Sequence, residues 1–396
     1  MKLFQKTSVT TLVLIVSLFV TLTGNAKFFA EVVSVYPLSE NLGFVVSLIV
    51  WLFSFLSIVL LLIAYRFSIK PVLIFILLAS AVVSYFSNNY GTIFDDNMIV
   101  NSLETNLAES IDLFSFKLIV YFVVLGVLPA VWVYKLKIQR VVISSMLWGK
   151  FKAIVVLISV FVLVTLLFSK AYTSFARENK QLRMYINPTY FLYAIGKHIG
   201  SQFESADAPF IVIGQDASIQ RDKNFKKLVI VVAGETARAD RFSLNGYKRN
   251  TTPLLAQEDV ISFKQMSSCG TDTAVSLPCM FSSLTKSEYS HAQGKNMSNV
   301  LDILSTAGVK VLWRDNNSSS KSVAGRVEYQ DYKSININTI CDEECRDEGM
   351  LVGLQEYIGQ HKDKDIMIVL HMMGSHGPAY YKRYPKSFEK FKPVCG

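Results

Sequence analysis

Long uncharged apolar runs dominate the chain up to about Lys170 and then stop. Five stretches, residues 9–22, 43–65, 71–85, 118–134 and 153–168, meet or approach the roughly 20 apolar residues that a helix needs to cross a bilayer core. The third and fifth are short and need Ser, Thr or Tyr neighbours to complete a span. The first also reads as a signal peptide cleaved near Ala26, and the orientation of everything after it is the same either way. Beyond Lys170 the pattern changes. Three segments share a charged start, an unbroken apolar run and an abrupt polar stop: 227–233 before Gly234-Glu235-Thr236, 309–313 before Arg314-Asp315-Asn316-Asn317, and 366–370 before His371 to His376. Short runs rich in Val and Ile predict strands buried on both faces of a parallel sheet. Helical patterns lie between them. Residues 299–306 close at Gly308, and 350–360 place Leu351, Leu354, Tyr357 and Ile358 on one side.

Such β–α–β repetition places sites beyond the carboxyl ends of the strands. Glu235, the Asn316-Asn317 turn and His376 are therefore expected along one edge of one sheet. The predicted organisation has three parts: a transmembrane domain over 1–170 with five helices, an aromatic-rich connector over 171–222, and an α/β domain over 223–396. Around Arg183, Tyr185, Tyr190 and Tyr193 the connector suits either the membrane interface or packing onto a domain.

Composition sharpens this picture. The 396 residues are 51% hydrophobic and 18% charged, a balance that excludes an ordinary soluble protein. With the N-terminus inside, the inner segments carry Lys2, Lys6, Arg66, Lys70, Lys135, Lys137, Arg140, Lys150 and Lys152. The longer outer loop is acidic through Asp95, Asp96, Glu104, Glu109 and Asp112. The positive-inside rule then exports everything after Lys170. Those inner cations account for most of the +9 formal charge, and nothing suggests nucleic acid as a partner.

All five cysteines fall in the exported part, where disulfides persist. The local pairs Cys269 with Cys279 and Cys341 with Cys345 are expected, leaving Cys395 unpaired. A zinc-binding Cys cluster is the competing reading, and no C-x-x-C pair supports it.

Four separated motifs then occur in order: GETARADRFSLNGYKRNTTPLL at 234–255, SCGTDTAVSLPCMFS at 268–282, LWRDNNSSSK at 312–321 and LHMMGSHGPAYYKRYP at 370–385. The chain resembles the phosphoethanolamine transferases, lipid A-modifying membrane enzymes that include the mobile colistin-resistance proteins. The resemblance runs over the whole chain and implies the alkaline phosphatase and sulfatase fold, a bacterial inner-membrane location and a periplasmic catalytic domain. It implies Zn²⁺ as cofactor and phosphatidylethanolamine as donor. Lipid A is the implied acceptor, with core heptose or Kdo as alternatives, and polymyxin resistance the implied outcome. A monomer is expected.

The resemblance makes Glu235 a zinc ligand, where the residues alone also allow a helix-capping acid beside Arg238. It makes Thr273 both a ligand and the nucleophile that carries phosphoethanolamine. A Thr hydroxyl does not ionise near neutral pH without help, and a divalent cation supplies it. Thr273 also suits the N-cap of a helix starting near Ala274. Asn317 and Lys321 match positions that contact the headgroup or its phosphate, and His376 matches a His near the phosphate that binds a second zinc or shuttles a proton. His371 reads as a structural strand-end residue, and His198, His291 and His361 receive no role. Related chemistries, phosphoglycerol transfer and sulfatase-like hydrolysis, keep the fold, and a non-catalytic membrane protein is the rival of another class. Family members continue to a D-H-G-E segment and a further His that complete the zinc and substrate sites. The 396-residue chain is accordingly expected to be truncated at its C-terminus and inactive by itself.

Overall fold

The structure is a computed structural model that describes residues 6–394 except 106, 207–208, 220–224, 343 and 378. The chain separates into two units, one of residues 1–99 and 114–199, the other of residues 100–113 and 200–396.

The first unit is helical. Four of its helices are long and apolar enough to cross a membrane: α3 (Leu38–Ile63), α4 (Ile69–Tyr90), α5 (Phe116–Lys135) and α6 (Ile143–Leu167). Before them α1 (Val9–Thr23) and α2 (Ala26–Val35) form a pair bent by 54°, which makes a fifth span if taken together. Both segments that looked short are full-length helices, of 22 and 25 residues. Ser87, Asn88, Asn89 and Tyr90 extend α4, whereas α6 is extended by residues 143–152, which carry Ser144 and Ser145 but also Lys150 and Lys152; a helix satisfies its own backbone inside a bilayer and tolerates polar residues near its ends. In α5 a π-helical turn over Val123–Val127 precedes Pro129; the missing amide of Pro129 is the kind of defect that such a turn absorbs.

The helices meet along Leu12, Val16 and Val20 of α1, Leu56 and Leu60 of α3, and Leu73 and Leu77 of α4. Buried Ser17, Thr21, Ser54, Ser57 and Ser80 lie among them, and small residues of this kind let helix backbones approach closely. The stretch up to Ile199 packs onto this unit: Leu182, Asn187, Phe191 and Ala194 are buried. Asn187 and Asn25 bond reciprocally, Asn187 N to Asn25 Oδ1 at 2.8 Å and Asn25 Nδ2 to Asn187 O at 2.9 Å, and Asn187 Nδ2 also donates to Ser80 O at 3.0 Å.

In the second unit a four-stranded parallel sheet has the order β1-β4-β2-β3, from β1 (Leu228–Ala233), β2 (Lys310–Asp315), β3 (Glu328–Asp331) and β4 (Ile366–His371). Around it lie α7 (Thr273–Phe281), α8 (Val300–Thr306) and α9 (Leu354–Gln360). Val311 and Trp313 of β2 pack with Leu277, Phe281 and Leu301 on one face, and Leu312 packs with Met350, Leu354 and Tyr357 on the other. This period of two covers the central strands on both sides.

Four features differ from expectation. β1 sits at the sheet edge, and Leu228, Val229, Ile230 and Val232 are 44–56% exposed rather than buried. β3 has the sequence EYQD, with no apolar run to betray it; its register against β2 and the Lys310–Glu328 ion pair at 2.8 Å hold it. β2 and β4 run on through Arg314, Asp315 and His371, so residues that read as polar stops are buried strand. In the 350–360 segment, Leu351 lies in a 3-10 turn and is exposed, because Gly353 at φ +66 breaks the helix before Leu354.

Candidate functional site

In the sheet register Ala233, His371 and Asp315 are aligned across β1, β4 and β2. The polar residues that follow each strand therefore leave from one edge, as parallel strands require. Glu235 follows β1 by two residues, and Thr273 opens α7. Thr273 Oγ1 donates to Glu235 Oε2 at 2.7 Å. Asn317 Nδ2 donates to the same oxygen at 3.3 Å and to Met372 O at 2.8 Å. Thr236 Oγ1 donates to Glu235 Oε1 at 2.7 Å. Three of the motifs thus converge on one carboxylate.

The loop after β4 closes against Glu235. Ser375 N donates to Glu235 O at 3.2 Å. Gly374 adopts φ +52, and a Cβ there would stand 3.0 Å from both Glu235 N and Glu235 O, so the approach requires glycine. His376 follows directly, with Nδ1 2.8 Å from Gly377 O and its own carbonyl accepting from Arg383 Nε at 2.7 Å. Lys321 is buried, at φ +51, and Ser322 follows at φ +71. Among the described residues the non-glycine positions with positive φ are Thr236, Lys321 and Ser322; the first two fall in two of the motifs and Ser322 directly follows the second of these. Such backbone costs roughly 1–3 kcal/mol per residue and collects where function over-determines it.

The N-cap of α7 is Asp272, not Thr273: Asp272 Oδ1 accepts from Val275 N at 3.0 Å. The cap leaves the Thr273 hydroxyl for Glu235 and places Thr273 at the first helical position, where amides have no intrahelical acceptor. Nor is Glu235 a capping acid beside Arg238, whose guanidinium pairs with Asp240 at 2.9–3.0 Å. A disulfide joins Cys269 to Cys279 around Thr273, and another joins Cys341 to Cys345; Cys395 lies outside the described residues.

Supporting residues went unread in the sequence. Asp315, fully buried at the end of β2, accepts from Trp313 Nε1 at 2.8 Å and Asn317 N at 2.8 Å, and lies 3.0 Å from His371 Nδ1. His371 is buried as the partner of that carboxylate. Asp347 accepts from Met373 N at 2.8 Å, Gly374 N at 2.9 Å and Asn316 Nδ2 at 2.9 Å. It lies in the acidic stretch CDEECRDEG, where no spacing distinguishes it from its neighbours.

A carboxylate and a hydroxyl oxygen 2.7 Å apart suit neighbouring ligands of one small divalent cation and fit the oxygen donors that zinc accepts. They are two donors of the three or more that protein zinc sites use, and no group of three or more His, Cys, Asp or Glu residues suited to a metal occurs among the described residues.

Comparisons with known proteins cover both units of the chain. The family model for phosphoethanolamine transferase EptA/EptB matches residues 52–203, and the sulfatase model matches residues 227–396. The phosphatidylethanolamine transferases Mcr-2 and Mcr-1 of Escherichia coli are each 44% identical, over 96% and 97% of this chain and 73% of each relative. Phosphoethanolamine transferase EptA of Escherichia coli K12 is 37% identical over 96% of this chain and 71% of its own length. The integral membrane lipooligosaccharide phosphoethanolamine transferase A of Neisseria meningitidis superposes with a TM-score of 0.94 at 34% identity, covering 99% of this chain and 74% of that one. Likeness that extends through the apolar helices and the α/β unit alike leaves one conclusion, that the chain belongs to the phosphoethanolamine transferase family.

Proposed function

We propose that this protein transfers phosphoethanolamine from phosphatidylethanolamine to lipid A through a covalent intermediate on Thr273. It is a multi-pass inner-membrane enzyme with a periplasmic C-terminal catalytic part, acting as a monomer. The observation that carries the reading is the 2.7 Å hydrogen bond between Thr273 Oγ1 and Glu235 Oε2, from segments 38 residues apart.

Thr273 Oγ1 attacks the phosphorus of the donor diester, the bond to the glycerol oxygen breaks, and diacylglycerol leaves with the proton that Thr273 gives up. A hydrogen-phosphate oxygen of lipid A then attacks the same phosphorus, the bond to Thr273 Oγ1 breaks, and the proton released by that phosphate restores the Thr273 hydroxyl. Glu235 accepts the hydrogen bond of the attacking hydroxyl and fixes its rotamer. At the N-terminus of α7 the backbone amides of Thr273 and Ala274 are the donors for the phosphoryl oxygens, since Val275 N is taken by the Asp272 cap. Asn317 holds Glu235 in place, and Lys321 supplies a cation for the phosphate. His376, on the loop closed over Glu235, serves the proton transfers.

Zinc belongs to this reading: Glu235 and Thr273 would hold it, and it would supply the Lewis acidity that makes a Thr hydroxyl nucleophilic at neutral pH and offsets phosphoryl charge. Attaching a cationic amine to lipid A lowers its negative charge and weakens attraction of cationic peptides such as polymyxins.

Incubation with phosphatidylethanolamine should place a phosphoethanolamine adduct on the peptide containing Thr273, visible by mass spectrometry. Thr273→Ala should abolish both adduct and lipid A modification; modification that persists in that variant would overturn the reading.

A further inference from the structure

Three basic segments meet at one end of the helical unit. Residue Thr7 pairs with the loop between α5 and α6: Thr7 N donates to Lys137 O at 3.0 Å, Gln139 N donates to Thr7 O at 3.0 Å, and Gln139 Nε2 donates to Lys6 O at 2.8 Å. Lys70, at the start of α4, donates to Tyr134 O at 2.6 Å and brings the α3–α4 turn to the same place. Between these segments lies a cleft of about 770 Å³ lined by Lys6, Arg66, Lys70, Lys137 and Arg140. No carboxylate lines it, and among the described residues none is ion-paired with any of these five side chains. Leu136, Ile138 and Val141 supply its apolar lining.

Positive-inside loops are ordinary, but they scatter charge over a surface. Here pairing of segments over 130 residues apart gathers five cations around one concavity, a concentration of like charge that a bound anion would relieve. Its place at the ends of spanning helices, on the side the positive-inside rule makes cytoplasmic, sets it at headgroup level.

We infer that this cleft is a binding site for the phosphate of an anionic phospholipid of the cytoplasmic leaflet. The cations take the phosphate oxygens, and Leu136, Ile138 and Val141 receive the glycerol and upper acyl carbons. Basic pockets between membrane helices on the cytoplasmic side recognise net-negative headgroups in this way. The site discriminates against phosphatidylethanolamine, whose headgroup is net neutral, and so is distinct from any donor site.

The test is lipid binding to the detergent-purified chain by native mass spectrometry, with phosphatidylglycerol, phosphatidylethanolamine and inorganic phosphate as separate probes. Phosphatidylglycerol should bind in preference to phosphatidylethanolamine. Arg66→Gln, a change away from the paired backbone, should weaken it about fivefold, and Lys137→Gln with Arg140→Gln about 25-fold, as expected for roughly fivefold per cation. Lys135→Gln with Lys152→Gln, on the same side but outside the cleft lining, should change it less than about twofold. Equal losses in that control pair, equal binding of phosphatidylethanolamine, or saturation by inorganic phosphate that displaces the lipid would each overturn the inference.

Discussion

Asn317 carries more of the site than its place in a polar turn suggests. Its amide nitrogen bridges Glu235 Oε2 at 3.3 Å and Met372 O at 2.8 Å, and its backbone is held by the buried carboxylate of Asp315 at 2.8 Å. Replacing Asn317 by Ala frees Glu235 on one side and leaves a carbonyl unpaired. Hydrogen bonds to charged groups are worth about 1.5–3 kcal/mol, so Asn317→Ala should lower kcat/KM at least roughly tenfold. If activity falls less than about twofold, Asn317 does not position Glu235. The family resemblance singled out Glu235, Thr273 and Asn317, while the strand pattern by itself placed only Glu235 and the Asn316-Asn317 turn at one sheet edge. Asp315 was not legible. A charged residue after an apolar run reads as the end of a strand, and only the neighbouring Trp313 and His371 side chains turn it into buried strand.

At the scale of elements, α7 is short and contains Pro278, so it depends on what encloses it. Asp272 caps it, Leu277 and Phe281 bury it against Trp313, and the Cys269–Cys279 disulfide closes the loop around Thr273. On a chain-entropy view a loop of this size contributes roughly 2–3 kcal/mol. Cys269→Ala with Cys279→Ala should therefore lower unfolding free energy by about that amount and cost activity even where the protein stays folded, since Thr273 loses its restraint. Denaturant melts alongside transfer assays separate the two effects; unchanged activity in a measurably destabilised variant would mean that the cap and core alone hold Thr273. The pairing was readable from cysteine spacing, as were β1, β2 and β4 from their apolar runs. β3 was not, because an edge strand held by Lys310–Glu328 and by Tyr357 Oη donating to Glu328 at 3.1 Å needs no apolar pattern of its own. The exposure of β1 was equally hidden, since periodicity reports that a strand is apolar but not whether anything covers it.

At the scale of the whole molecule, the two-part division followed from hydropathy, yet one exchange between the parts did not. Residues 100–113, which leave the helical unit between α4 and α5, belong to the α/β unit. Asp112 anchors them: its oxygens accept from Lys382 Nζ at 2.7 Å and Arg383 Nη2 at 3.0 Å. Arg383 also pairs with Glu344 and donates to His376 O, so the anchor reaches the loop that closes over Glu235. The acidic character of this loop was plain in the sequence, but its partner lies 270 residues away, beyond any local pattern. Burial raises the Asp112 pKa, and the two cations more than offset that, leaving it below the ordinary carboxylate value; the hydrogen bond to Asp112 raises Lys382. A depressed carboxylate contributes stability that is fully present above the unfolded value of about 3.9 and is lost as pH falls through the folded value. The anchor should therefore hold at neutral pH and release only below about pH 4. Hydrogen exchange at pH 7 should find residues 100–113 and 372–384 protected together. Asp112→Asn, which removes the charge at nearly constant size, should raise exchange in both segments at pH 7 while leaving β2 and β4 unchanged. Faster exchange confined to residues 100–113 would mean that Arg383 holds the His376 loop without Asp112.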